Sequence, residues 1–279
     1  MKSLTLTALL VLATLSLSAQ TYIENKQEVY GTWDKKGSPY IVNGEAIVPK
    51  GKTLKIKPGV TVKFQTGEER EYASRNFRVG FLRVEGTLVA KGKKNDLIHF
   101  TRNGSNGYWG TIYLFEGTDN ILEYCMLEYG HYIRGIITGD NATGVVSFQN
   151  AGGVINNCLI VNNHWTAINC KNGSAPKIIN TTIANNNYGL ECNSGSSPAL
   201  TSVILWDNDN GFYLNGDSFP VIEYSLLQEM PDDAVNNGNN LSYEDPKFIN
   251  TGSNDFRLQK SSPCKKSGKQ GKDMGALIE

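Results

Sequence analysis

The phrases Ser174-Ala175-Pro176, Ser196-Ser197-Pro198 and Ser218-Phe219-Pro220 set their prolines 22 residues apart, twice over. The sequence around them repeats in step. Val154-Ile155-Asn156-Asn157-Cys158-Leu159-Ile160-Val161-Asn162-Asn163 aligns with Lys177-Ile178-Ile179-Asn180-Thr181-Thr182-Ile183-Ala184-Asn185-Asn186. Both align with Ala199-Leu200-Thr201-Ser202-Val203-Ile204-Leu205-Trp206-Asp207-Asn208. Val221 to Met230 keeps the pattern loosely. Ile121 to Gly130 precedes it, offset by an insertion around Arg134 to Thr143. A fixed period of this length marks a solenoid, in which each repeat stacks on the next.

Each unit continues into a second short segment: Ala167-Ile168-Asn169-Cys170, Gly189-Leu190-Glu191-Cys192 and Gly211-Phe212-Tyr213-Leu214. Ile168, Leu190 and Phe212 share a face with Cys170, Cys192 and Leu214, while Asn169, Glu191 and Tyr213 take the other. Period-two alternation specifies strands. An all-β chain with about 22 residues per coil and no helical period reads as a parallel β-helix. Stacking then predicts internal ladders of Ile160, Ile183, Leu205 and Leu227, and of Ile155, Ile178, Leu200 and Ile222. Asn163, Asn186 and Asn208 form an Asn ladder at a corner, where amides satisfy backbone groups and each other. Leucine-rich repeats share the period but need a Leu-rich consensus that is absent here.

Outward from this block the scaffold is less regular. Ile47 to Phe64, Leu82 to Ala90 and Leu97 to Thr101 alternate as strands. The division expected is a signal peptide at 1–19, an N-terminal cap at 20–46, the β-helix at 47–243 and a closing segment at 244–279. Insertions fall near 65–80 and 131–144. Phe248, Phe256 and Leu258 are expected to cover the last coil. Lys2, the apolar stretch Leu4 to Leu17 and the small residues Ser16-Leu17-Ser18-Ala19 predict export with cleavage before Gln20. No Cys stands at that point to carry a lipid, so a free periplasmic or secreted protein is expected. Hydrophobic residues make up 39% and charged residues 19% of the 279. The net charge is zero, and removal of Lys2 takes it to about −1. Nothing in that balance favours nucleic acid, and no apolar stretch after the leader is long enough for a membrane span.

Several segments resemble secreted bacterial right-handed β-helix proteins of the pectin-lyase-like superfamily. Ser38-Pro39-Tyr40-Ile41-Val42 through Lys57-Pro58-Gly59-Val60-Thr61-Val62-Lys63-Phe64 is similar to their opening coils. Gly107-Tyr108-Trp109-Gly110-Thr111-Ile112 resembles their Trp-Gly turn. Asp245-Pro246-Lys247-Phe248, Asp255-Phe256-Arg257-Leu258, Ser262-Pro263-Cys264 and Asp273-Met274-Gly275-Ala276 resemble their closing motif. The resemblance implies the fold and leaves the activity open. One departure is that Lys265 and Lys266 stand where the motif carries an Ile-Asp pair.

The chemistry was sought on the outward positions. Lyases on this fold need a group that neutralises the sugar carboxylate and a Lys, Arg or His base. Glycoside hydrolases need two or three convergent acids. Asp207 and Asp209 are the densest acids, with Glu191, Asn169 and Lys171 on the neighbouring strip and Trp206 or Tyr213 able to stack on a pyranose ring. His131, at the start of the insertion, is the histidine expected on a ligand-facing loop. His99 reads as an outward strand residue, and His164 sits beside Trp165 at a corner. The structural reading makes Asp207 and Asp209 corner residues interchangeable with Asn. No complete acid/base set assembles, and no catalytic or metal residue is assigned. A calcium ion at Asp207 and Asp209 would need more oxygen ligands than can be named. Cys170 and Cys192 should stack as buried thiols, although their spacing also permits a disulfide.

The expectation is therefore a non-catalytic module that binds a polysaccharide or an envelope component, with no cofactor. The alternatives are a polysaccharide lyase or glycoside hydrolase acting on a cell-wall or matrix glycan, and a purely structural or adhesive solenoid.

Overall fold

A computed structural model describes residues 20–67, 79–135 and 141–278. The expected leader at 1–19 lies outside the described residues, as do parts of both insertions (68–78 and 136–140). Three long sheets of ten, eight and nine strands, parallel throughout, wind around one core as a right-handed parallel β-helix. No α-helix occurs among the described residues, so none is long and apolar enough to cross a membrane.

The predicted register holds residue by residue. In the ten-stranded first sheet Ile160 pairs with Ile183, Leu205 and Leu227 in turn, all fully buried. This column runs back through Leu127 and Phe100 to Val62. In the nine-stranded third sheet Ile155, Ile178, Leu200 and Ile222 stack likewise. In the eight-stranded second sheet Val48, Val84, Leu114, Phe148, Cys170, Cys192 and Leu214 form one column. The two thiols thus occupy places otherwise given to apolar groups. All five cysteines are free and buried. Burying each Ile, Leu, Val or Phe contributes about 1.5–3 kcal/mol, and stacking multiplies that term along the axis.

Corners carry their own ladders. Asn163 Nδ2 donates to Asn186 Oδ1 at 2.9 Å and to the Leu127 carbonyl at 3.2 Å. Asn186 Nδ2 repeats this to Asn208 Oδ1 at 2.9 Å and to Ile160 O at 3.0 Å. Gln228 continues the column by accepting from Asn208 N. The Ser of each Ser-x-Pro phrase is a second ladder. Ser174 N donates to Ser196 Oγ, and Ser196 N to Ser218 Oγ, both at 3.2 Å. Each of these hydroxyls donates to a carbonyl three residues back. Buried turn groups are therefore paired between coils, which is the condition for hiding backbone polarity. Asn162, Asn185 and Asp207 take left-handed φ of 57°, 58° and 54° at equivalent places. Asn and Asp tolerate that region best after Gly.

Two expectations change. Residues 20–46 supply the first coil of the solenoid: Thr21–Ile23, Gln27–Glu28 and Gly31–Trp33 each pair in parallel with the strand one coil on. Trp33 of this coil stacks at 4.4 Å on Tyr40, which opens the next coil. The closing segment meets the last coils through Phe248 and Leu258, which join the cluster of Leu226 and Leu241, but it does not stop there. It runs back along the outer face of the first sheet. Phe256 is buried against Met126, Leu159, Val161 and Ala184, and Cys264 and Met274 lie on Ile204 and Leu226. Gly275 N donates to Ser202 O and Ala276 N to Thr182 Oγ1. Lys265 and Lys266, the departure from the closing motif, both serve Asp273: one through Nζ at 2.7 Å, the other through its backbone N–H at 2.9 Å. Trp109 of the Trp-Gly turn is fully buried, stacks on Phe64 at 4.4 Å and donates its Nε1–H to Glu128 O at 2.7 Å.

A candidate glycan-binding cleft at the Asn-ladder corner

The turn from the first sheet to the second follows the Asn ladder. Asn163 to Asn186 spans 23 residues, and Asn186 to Asn208 spans 22. The strands resume in register at Ile168, Leu190 and Phe212. The extra residue therefore sits between Asn163 and Ile168, and the segment His164-Trp165 loops outward there. His164 is exposed and Trp165 half-buried. The His164 ring lies 4.4 Å from Tyr108 and 4.8 Å from His131, and the Trp165 ring 5.1 Å from Tyr132.

This aromatic group forms one wall of a cleft of about 550 Å³. Its other wall is a stair of polar corner residues from three coils: Asn162 and Asn163, then Asn185 to Asn187, then Asp207 and Asp209. Asn187 Nδ2 donates to Asp209 Oδ2 at 3.1 Å, and Asn185 Nδ2 to Asn162 Oδ1 at 3.1 Å. The Asn185 amide oxygen takes no donor among the described residues. Asp207 and Asp209 are both exposed. Among the described residues, no Lys or Arg lines the cleft.

Trp165 also borders a smaller pocket of about 220 Å³ on the second sheet, with Thr143, Thr166, Tyr188, Glu191 and Tyr213. Tyr213 is 47% exposed and meets Tyr188 edge-on at 6.2 Å. Glu191 is held in place: its Oε2 accepts from Thr143 Oγ1 at 2.6 Å and its Oε1 from Asn193 Nδ2 at 2.9 Å. A third cleft, about 610 Å³, lies between the closing segment and the first sheet. Trp206 lines it, and Asn185 and Asp207 border both it and the first cleft.

The predicted strip of Asn169, Glu191 and Tyr213 is one outward column, as read from the alternation. It is not uniformly open. Asn169 is 1% exposed, because the strand around Gly144 lies against it. Its Nδ2 finds no acceptor among the described residues. Lys171 lines none of these clefts and donates to Asn141 O at 2.9 Å. His131 is also displaced from its expected role. It is 1% exposed, packed behind His164 and Tyr108, and so presents no ligand-facing edge. Burial first, and the neighbouring His164 second, push its pKa down to about 4. His99 is an outward, half-buried strand residue whose pKa burial lowers and Glu128 raises in part. Burial raises the Cys170 thiol well above its usual value, and contact with Cys192 adds to this.

Trp165, His164, Tyr108, Asn187 and Tyr188 were not singled out from the sequence as ligand contacts. The 23-residue interval was the available signal. No group of three or more His, Cys, Asp or Glu among the described residues is placed to hold a metal ion. Among known families, residues 131–254, which span most of these clefts, match the right handed beta helix region. No curated protein matches the chain.

Proposed function

We propose that this β-helix is an exported, non-catalytic module that binds a polysaccharide through the Trp165 cleft. The observation that carries the reading is the position of Trp165 as a ridge between two open pockets, each edged by planar polar side chains. A sugar ring offers an apolar face of C–H groups and an equatorial rim of hydroxyls. An aromatic face suits the first, and amides and carboxylates suit the second. The amides and carboxylates here come from corner residues bonded from coil to coil beside the Asn ladder, so little order is lost on binding.

The same geometry argues against the chemistry considered from sequence. A lyase needs a cationic or metal group at the sugar carboxylate and a base at the adjacent proton. Lys171, the Lys among the sequence candidates, lines neither pocket and donates to Asn141 O, and Glu191 is occupied by hydroxyl and amide donors. Hydrolysis is the second reading, favoured by Asp207, Asp209 and His164 lying in one cleft. A glycan array followed by a turnover assay on every hit separates the readings. Retention of a neutral glycan with no new reducing ends or unsaturated product, lost in Trp165→Ala, supports binding. New reducing ends, lost in Asp207→Asn, would replace it with hydrolysis. No retained glycan at all would remove both.

A further inference from the structure

We infer that the same glycan chain crosses the Asn-ladder corner and occupies a second subsite on Trp206, in the cleft between the first sheet and the closing segment. The inference rests on the Trp165 reading above. Asn185 and Asp207 border both clefts, so the two are adjacent across one coil corner. Trp206 ends a first-sheet strand just before the corner, and Trp165 opens a second-sheet strand just after it, two coils earlier. At about 4.8 Å per coil this is an axial offset of about 10 Å.

Trp206 points away from the core, on the outer face that the closing segment covers elsewhere. Around it the covering is incomplete: Trp206 stays half-buried, and Ile249, across the cleft, is 48% exposed. Asp245, Lys247, Asn250 and Gln259 add polar groups at the rim. An aromatic plate, an apolar partner and a polar rim repeat the composition of the first cleft. Contiguous subsites on one rigid scaffold favour a polymer over a mono- or disaccharide, because the second contact forms without a second association cost.

The test is calorimetric titration of the full chain with ladders of neutral cello-, xylo- and N-acetylchito-oligosaccharides, from disaccharide to octasaccharide. In the ladder that binds, affinity should step up by roughly tenfold or more once the oligomer spans the corner. Trp206→Ala should abolish the step and leave disaccharide affinity unchanged, whereas Trp165→Ala weakens every length. Ile249→Asn, at an exposed site where folding is not at risk, should shrink the step in the same way. Affinity that stays flat with length, or a step that survives both Trp206→Ala and Ile249→Asn, overturns the second subsite and leaves the first cleft standing. Failure of all three ladders counts against the Trp165 reading and, with it, this one.

Discussion

At the scale of single residues, the stacked register decides what each side chain can do. Asp207 occupies the left-handed position held by Asn162 and Asn185. The structural reading made from sequence therefore explains its backbone. Its carboxylate is nonetheless exposed on the cleft, so one residue serves both the turn and the site. His131 goes the other way. Its loop position suggested ligand contact, yet the chain folds back and buries it. Its folded pKa near 4 lies below the usual value of 6.5, so the folded state prefers the neutral ring. Between those values the unfolded chain binds more protons, and stability rises with pH. Protonation should thus destabilise the protein as pH falls from about 6.5 toward 4, by no more than about 3 kcal/mol for this group. Denaturation midpoints across that window, compared with His131→Phe, measure the effect. Equal slopes in the two proteins would show that His131 does not titrate against folding.

At the scale of elements, the β-helix was legible because Ser, Asn and Ile recur at fixed offsets and each offset has one structural meaning. The cleft was half legible. Asp207, Asp209, Glu191 and Tyr213 line pockets, while Trp165 and His164 owe their position to a single added residue that period-matching passes over. The path of the closing segment back along the outer face has a physical reason that the sequence also carries. Leu159-Ile160-Val161 and Ile204-Leu205-Trp206 are apolar on both faces, whereas a strand with a solvated outer face alternates. Those strands required an outer cover, and Phe256, Cys264 and Met274 provide it. Phe256→Ala should therefore cost about 3–5 kcal/mol, the range for an aromatic removed from a packed core. Urea unfolding reads this directly. A loss below about 1 kcal/mol would mean that the segment is laid loosely on the sheet, contrary to the range for buried aromatics. Disaccharide binding in the first cleft should be unchanged in the same variant, since Phe256 does not line it.

At the scale of the whole molecule, charge limits the choice of polymer. Lys and Arg number 27, as do Asp and Glu, so no net field draws in a polyanion. Locally, among the described residues, Asp207 and Asp209 line the first cleft and Glu191 the adjoining pocket, without Lys or Arg in either lining, while Lys247 borders the Trp206 cleft. In the first cleft a uronate or sulfated chain would bring its negative groups against these carboxylates, a like-charge contact that opposes binding. The β-helix scaffold by itself therefore implies no acidic substrate, because function resides in the site and not in the fold. Recognition of a neutral glycan by aromatic stacking and amide hydrogen bonds releases few counterions. Its affinity should change by less than about twofold as ionic strength is raised from low to high, since screening acts on charged pairs. Oligogalacturonates should bind more weakly than neutral oligosaccharides of equal length, and Asp207→Asn with Asp209→Asn should narrow that gap. Calorimetry at two salt concentrations is sufficient. A steep loss of affinity with salt, or a preference for the uronate, would mean that an ionic contact, at Lys247 or outside these clefts, governs binding.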